Sequence, residues 1–134
     1  MKPAIVIVAY NRDDSLKRIL SSVDSAFYEN GNIQLIISID HSENDRVRKV
    51  AEAFEWKHGN KRIVVHADRM GLKKHILECG NYAIEYGSII MLEDDLYVSP
   101  DFYNFASKAL DFSEKYPEIG GVSLYSHRFN VFAR

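Results

Sequence analysis

The sequence has 134 residues, 46% of them hydrophobic and 27% charged, with 17 basic against 19 acidic side chains and a formal net charge of −2. That profile excludes a disordered chain, a collagen-like repeat and a coiled coil, and a domain this long buries roughly two-thirds of its unfolded surface without staples. A single cysteine, Cys79, permits no intrachain disulfide, and the balanced charge argues against nucleic acid held by bulk electrostatics, so any anion bound is small.

The first element is the run Ala4 to Tyr10, continuously apolar and rich in β-branched residues, the pattern of a strand covered on both faces as in a parallel sheet. It is far short of the roughly 18 residues a membrane span needs, and no leader pattern opens the sequence as given. A cytoplasmic location is therefore expected, and peripheral contact with the inner membrane face is compatible with it. Leu16, Ile19, Leu20, Val23 and Phe27 form the stripe of an amphipathic helix, with Asp13 or Asp14 as its expected N-cap. Asn30-Gly31-Asn32 is a turn, and Ile33 to Ile39 reads as a second buried strand ending at Asp40.

Val47, Val50, Ala51 and Phe54 mark a second helix, with Trp56 as a plug at its end, and Ile63-Val64-Val65 a short third strand. A basic loop follows. Leu72, Ile76, Cys79, Ala83 and Tyr86 give one further helical stripe in which Cys79 and Tyr82 are read as core, and Ser88 to Leu92 a fourth strand. Ser99-Pro100-Asp101 predicts a helix start with proline at the first helical position, after which Phe102, Phe105, Ala106, Ala109 and Phe112 are expected to face the core. Val122-Ser123-Leu124, after Gly120-Gly121, is a candidate fifth strand. The alternation predicts right-handed βαβ crossovers in a Rossmann-like α/β three-layer sandwich with a mostly parallel sheet, here one domain over residues 1–134. With strand order 3-2-1-4, ligands belong in the crevice past the carboxyl ends of strands one and four.

The residues just past those ends carry the chemistry. Glu93-Asp94-Asp95 delivers three consecutive carboxylates to the sheet edge, which stay ionised most easily on a hard divalent cation whose other ligands are water and phosphate; the alternative is a solvated acidic loop. From His75 to Ser107 there are six acidic residues and no Lys or Arg, whereas Lys61 to Lys74 holds five basic residues and one acidic. A cation site beside a basic loop suits a diphosphate, with Arg69, Lys73 or Lys74 at the mouth of a helix; a solvated helical face is the alternative for either lysine. Asp40 is a candidate acceptor for a base N–H or a ribose hydroxyl, or else a helix N-cap. Arg12 is placed to stack on a base or meet phosphate, or is a plain surface arginine. His75 reaches a nucleotide or is satisfied in the core. Neither a Gly-x-Gly-x-x-Gly fingerprint nor a P-loop is present, which removes dehydrogenase and ATPase readings.

Ala4-Ile-Val-Ile-Val-Ala-Tyr-Asn-Arg, the strand ending at Asp40, Gly71-Leu-Lys-Lys-His and Met91-Leu-Glu-Asp-Asp-Leu-Tyr-Val-Ser-Pro-Asp-Phe together resemble the donor-binding half of GT-A glycosyltransferases, family 2 in particular. The acidic segment is also similar to the N-acetylglucosaminyltransferase I type. The resemblance implies that Arg12 and Asp40 hold the uracil of a UDP-sugar, with Tyr10 or Asn11 lining that pocket and His75 beside the nucleotide. It implies that Glu93 and Asp94 contact ribose and donor sugar, that Asp95 binds Mn2+ or Mg2+ bridging the diphosphate, and that Lys73 and Lys74 lie near it. Glu-Asp-Asp departs from the family's Asp-x-Asp, which leaves the division of labour among the three acids open.

The implied reaction is inverting sugar transfer to a glycan or lipid-linked hydroxyl acceptor in surface polysaccharide or glycoconjugate synthesis. The implied general base is a carboxylate in the acceptor-binding half, beyond Arg134. Because Phe129-Asn-Val-Phe-Ala-Arg is unlike a polar tail, the chain is expected to be a piece of a longer protein that alone binds donor poorly and transfers nothing. An oligomer is compatible with the sequence. The competing expectations are a nucleotidyltransferase, disfavoured because Tyr10-Asn-Arg-Asp-Asp lacks glycine, and a non-catalytic sugar-nucleotide-binding module.

Overall fold

The computed structural model describes residues 1–124; the apolar ending from Phe129 onward lies outside the described residues. In chain order the elements are β1 (Ala4–Ala9), α1 (Asp13–Asp24), β2 (Leu35–Ile39), α2 (Arg46–Ala53), β3 (Lys61–Val65), α3 (Leu72–Gly80), α4 (Tyr82–Tyr86), β4 (Ile89–Glu93) and α5 (Phe102–Ser113). The strands form one parallel sheet in the order β3-β2-β1-β4. All residues of β1 and β2 are buried, which is why both read as unbroken apolar runs. Register is fixed by pairs such as Ile7 with Ile37, Ile7 with Leu92 and Ile37 with Ile63.

Side-chain alternation divides the core in two. Ile5, Ile7, Ala9, Leu35, Ile37 and Ile39 face α1, α2 and α5, meeting Leu16, Ile19, Val23, Val47, Phe102 and Tyr103. Ala4, Val6, Val8 and Ile36 face the other way, onto Cys79, Ile76, Tyr82 and Tyr86 of α3 and α4. The crossovers through α1 and α2 thus cover one face and the crossover through α3 and α4 the other. The winding reverses between β1 and β4.

Trp56 is the plug expected of it, buried with its Nε1 donating to the Ile33 carbonyl at 2.8 Å. Gly59 passes so close that an added Cβ would lie 2.1 Å from the same oxygen. Several expectations need correction. The residue at the N-cap of α1 is Arg12, and Asp13 and Asp14 occupy the first turn, where they complement the helix dipole without a capping hydrogen bond. Helix α1 ends before Phe27, which is exposed. The third stripe is two helices, broken at Asn81. Pro100 sits in a turn, and α5 starts at Phe102 with Asp101 at its N-cap.

Phe105 and Phe112 are exposed, not core. Among the described residues β4 pairs only with β1, so the side of α5 beyond that edge has no layer to pack against. Phe105 instead lines a groove of about 770 Å³ with Met91, Leu96, Leu110, Val122 and Leu124. Val122-Ser123-Leu124 is not a strand.

Candidate functional site

The parallel ladder runs one residue past each strand: Asp40 N–H donates to Ala9 O at 3.0 Å, His66 N–H to Ile39 O at 3.0 Å and Asp94 N–H to Val8 O at 3.1 Å. Tyr10, Asp40, His66 and Asp94 therefore stand together on the carboxyl rim of the sheet, with the crevice of the winding reversal between Tyr10–Arg12 and Asp94–Asp95. The first loop is held in place from its neighbour. Asn11 adopts the left-handed region at φ 49°, and its Oδ1 accepts from Asn44 Nδ2 at 2.7 Å and Ser42 Oγ at 3.3 Å.

Asp40 is buried, and both of its oxygens are engaged. Oδ1 accepts from the N–H groups of His41 and Met70, each at 2.8 Å, and Oδ2 from Gly71 N–H and Arg69 Nε, each at 3.0 Å. Burial works to raise its pKa, but the N–H groups of Met70, His41 and Gly71 with the Arg69 guanidinium hold it below the ordinary carboxylate value. Asp40 is not an N-cap of α2; it ties down the loop between β3 and α3. That loop ends at Gly71, whose φ of 80° favours glycine, and it leads Lys73 and Lys74 into the exposed first turn of α3. Both lysines line a cavity of about 400 Å³ with Met70, Gly71, Leu72 and Leu77.

Arg69, held by Asp40, lies over the Tyr10 ring with its guanidinium carbon 3.8 Å from the centroid, and its Nη1 donates to the Tyr10 hydroxyl at 2.6 Å. The sequence offered Arg69 only as one of several cations for a phosphate; its aromatic partner lies 59 residues away in the chain. His75 is buried beneath the rim, its Nε2 2.8 Å from Ser38 Oγ, which also lies 3.2 Å from His66 Nε2. Burial, aided by His66 and opposed by Asp40, lowers the His75 pKa. Ser38, the one polar side chain in β2, was the sequence signal for this chain of three. Cys79 is buried and its thiol pKa is raised by that burial, in keeping with a packing role.

At the crevice, Asp94 is buried, and its Oδ2 accepts from Tyr10 N–H at 3.2 Å. Burial raises its pKa, against the pull of the Tyr10 N–H and Arg12. The Arg12 guanidinium sits across the acids, 3.6 Å from Asp94 Oδ1 and 3.7 Å from Asp95 Oδ2. Asp95 is half exposed, and Glu93, paired in register with Val8, is partly buried. Among the described residues no three His, Cys, Asp or Glu side chains gather to hold a metal by themselves. Asp95 with Asp94 Oδ1 is nonetheless an oxygen-only donor set that fits Mg2+ or Mn2+, ions that take one or two carboxylates and complete their shell from phosphate and water. The larger, apolar groove beside α5 is lined by no charged side chain and is unsuited to a diphosphate.

Comparison with known proteins agrees with this fold. The sequence matches the model of glycosyl transferase family 2 over residues 4–126. No curated protein sequence matches the chain. Among solved structures, S. aureus TarS superposes with a TM-score of 0.65 at 14% identity, over 85% of this chain and 20% of TarS. TarS 1-349 in complex with UDP-GlcNAc gives 0.63 at 12% identity, over 94% of this chain and 37% of that one. The complex of TarS 1-349 with UDP gives 0.63 at 13% identity, over 94% and 38%. The chain thus spans well under half the length of these structures, and the likeness is one of fold. The family model covers nearly the whole sequence, and the chain belongs to glycosyl transferase family 2.

Proposed function

We propose that this chain is the donor-binding part of a glycosyltransferase that moves a sugar from a UDP-sugar to a hydroxyl of a glycan or lipid-linked acceptor, with inversion, in surface polysaccharide or glycoconjugate synthesis. The observation that carries the reading is the continuity of the rim at the winding reversal. A guanidinium stacked on an aromatic ring, Arg69 on Tyr10, is joined through the Tyr10 N–H to Asp94, beside Asp95. One end suits a planar base and the other a cation with its diphosphate. The TarS structures with UDP and UDP-GlcNAc add support through their shared fold.

In this reading Tyr10, Asn11 and Arg69 line the base pocket, and Asp40 fixes Arg69 and the loop beneath it. Glu93 faces ribose and donor sugar, Asp95 with Asp94 Oδ1 would hold Mn2+ or Mg2+, and Lys73 and Lys74 meet the diphosphate from the head of α3. His75 supports the rim from below through Ser38. A bound divalent cation would supply Lewis-acid stabilisation of the nucleoside diphosphate as it leaves. Attack on the anomeric carbon also requires a base for the acceptor hydroxyl, a role assigned to no residue among those described.

No helix among the described residues is long and apolar enough to cross a membrane. The test is calorimetric titration of UDP into the protein with and without Mn2+, alongside Asp95→Ala. Mn2+-dependent binding lost in Asp95→Ala is expected. Equal affinity in every arm would remove the metal from the reading, and no UDP binding at all would overturn it.

A further inference from the structure

Arg12 reaches the acids from a fixed backbone. Its carbonyl accepts from Leu16 N–H at 3.0 Å to open α1, and Asn11 before it is held by Asn44 and Ser42. The side chain is 59% exposed, and its contacts with Asp94 and Asp95, at 3.6 and 3.7 Å, are longer than charge-assisted hydrogen bonds. Among the described residues it is the one cation that meets either acid; nearby Arg46 pairs with Asp13 instead. A guanidinium loosely held across both carboxylates engages the same oxygens that a divalent cation would need. The two like charges cannot share those oxygens without strong repulsion.

We propose that Arg12 is a tethered placeholder cation, which keeps the acid pair closed to a free metal ion and yields only when metal and diphosphate arrive together. The inference rests on the donor-binding reading above and adds the order of events. Free Mn2+ must displace Arg12 with nothing to receive it. Mn2+ with a diphosphate brings compensating negative charge, and the displaced fork of N–H donors transfers to phosphate oxygens within its reach. Arg12 thereby couples metal and nucleotide binding, and the coupling is reciprocal.

The experiment measures Mn2+ binding by the decrease in the free-ion electron paramagnetic resonance signal. It compares wild type, Arg12→Gln, Arg12→Lys and the double variant Arg12→Gln/Asp95→Asn, each with and without UDP, after circular dichroism has shown native folding. Without UDP, Arg12→Gln is expected to bind Mn2+ about fivefold more tightly than wild type, the factor that corresponds to a surface ion pair near the upper end of its range. Arg12→Lys stays close to wild type, and the gain disappears in the double variant. The tightening of Mn2+ binding by UDP shrinks in Arg12→Gln.

Mn2+ affinity without UDP that is unchanged in Arg12→Gln, or a gain that survives Asp95→Asn, overturns the placeholder while leaving the donor-binding reading intact if UDP and Mn2+ still bind together. Failure of every protein to bind Mn2+, even with UDP, overturns both.

Discussion

Asp40→Asn probes the most heavily engaged side chain on the rim. The carboxylate accepts four hydrogen bonds, two at each oxygen, and asparagine keeps one oxygen while turning the other into a donor. The less costly orientation sets the amide nitrogen against Gly71 N–H and Arg69 Nε, because the Arg69 side chain is 51% exposed and can turn to water. Gly71 N–H then faces a donor, a cost of about 1–3 kcal/mol for an unsatisfied group, and loss of charge on the bonds that remain adds about 1 kcal/mol. The sum is about 2–4 kcal/mol. At about 4 °C per kcal/mol for a domain of this size, the melting temperature falls by about 8–16 °C.

Thermal denaturation measures that loss, and amide hydrogen exchange locates it, with protection at Met70 and Gly71 expected to fall first. The pH dependence has a definite sign. Asp40 has a folded pKa below its ordinary value of 3.8, so its contribution is fully present above that value and disappears as pH falls through the folded pKa. The gap between wild type and Asp40→Asn is therefore constant near neutrality and closes below about pH 4. A melting temperature within 2 °C (about 0.5 kcal/mol) of wild type at pH 7, with Met70 and Gly71 still protected, would refute the account of Asp40 as the anchor of this loop.

Gly59→Ala puts a Cβ 2.1 Å from the Ile33 carbonyl oxygen, a backbone atom that cannot swing aside, and is expected to cost at least about 2 kcal/mol in urea denaturation; an unchanged midpoint would contradict the close approach. His75 has a folded pKa below its ordinary 6.5, so the stability of its neutral, buried form is full above that pH and is lost as pH falls through the folded value. The melting temperature should drop below about pH 6.5 in wild type and less steeply in His75→Gln, and parallel profiles would show that His75 does not titrate there. Asp94 has its pKa raised, so its contribution is full below the ordinary 3.8 and is lost as pH rises through the folded value. Asp94→Asn, which keeps an acceptor for Tyr10 N–H, should therefore raise the melting temperature at pH 7 while weakening UDP binding; a lower melting temperature would mean that the Arg12 contact outweighs burial.

The sheet was legible in the sequence because β1 and β2 are covered on both faces and so carry no polar residue except Ser38. With the order β3-β2-β1-β4, right-handed crossovers then fix which face each helix covers. The outer side of α5 was not legible. The spacing of Phe102, Phe105, Ala106, Ala109 and Phe112 defines a stripe, but its width does not say that Phe102 and Ala106 are buried in the core, beside Tyr103, while Phe105 looks onto a groove. The break at Asn81 is hidden for a similar reason: Tyr82 and Tyr86 pack on the same cluster as Ile76 and Cys79, so the apolar rhythm continues across it.

At the rim, the identity of the residues past each strand was readable and their pairing was not. Asp40 meets Met70 and Gly71 from 30 and 31 positions away, and nothing local announces that this acid is saturated by a loop rather than left free for a base.

The rim is where local preference and the fold disagree, and the disagreement has a direction. Charged side chains are otherwise kept off the central strands, yet Asp40 and Asp94 are almost fully buried where β2 and β4 end. Asp40 is compensated four times over and is held ionised, so its cost is met within the protein. Asp94 accepts from the Tyr10 N–H and meets a loosely held guanidinium at 3.6 Å, and burial still raises its pKa. A buried acid left under-compensated beside a half-exposed one is a place that gains from an added cation, whereas a saturated acid gains nothing from a ligand. In the proposed reading, that asymmetry separates the two ends of the crevice: the Asp40 end is built rigid and presents Arg69 on Tyr10 as a finished surface, and the Asp94–Asp95 end, held only loosely by Arg12, is where a metal and its diphosphate would bind.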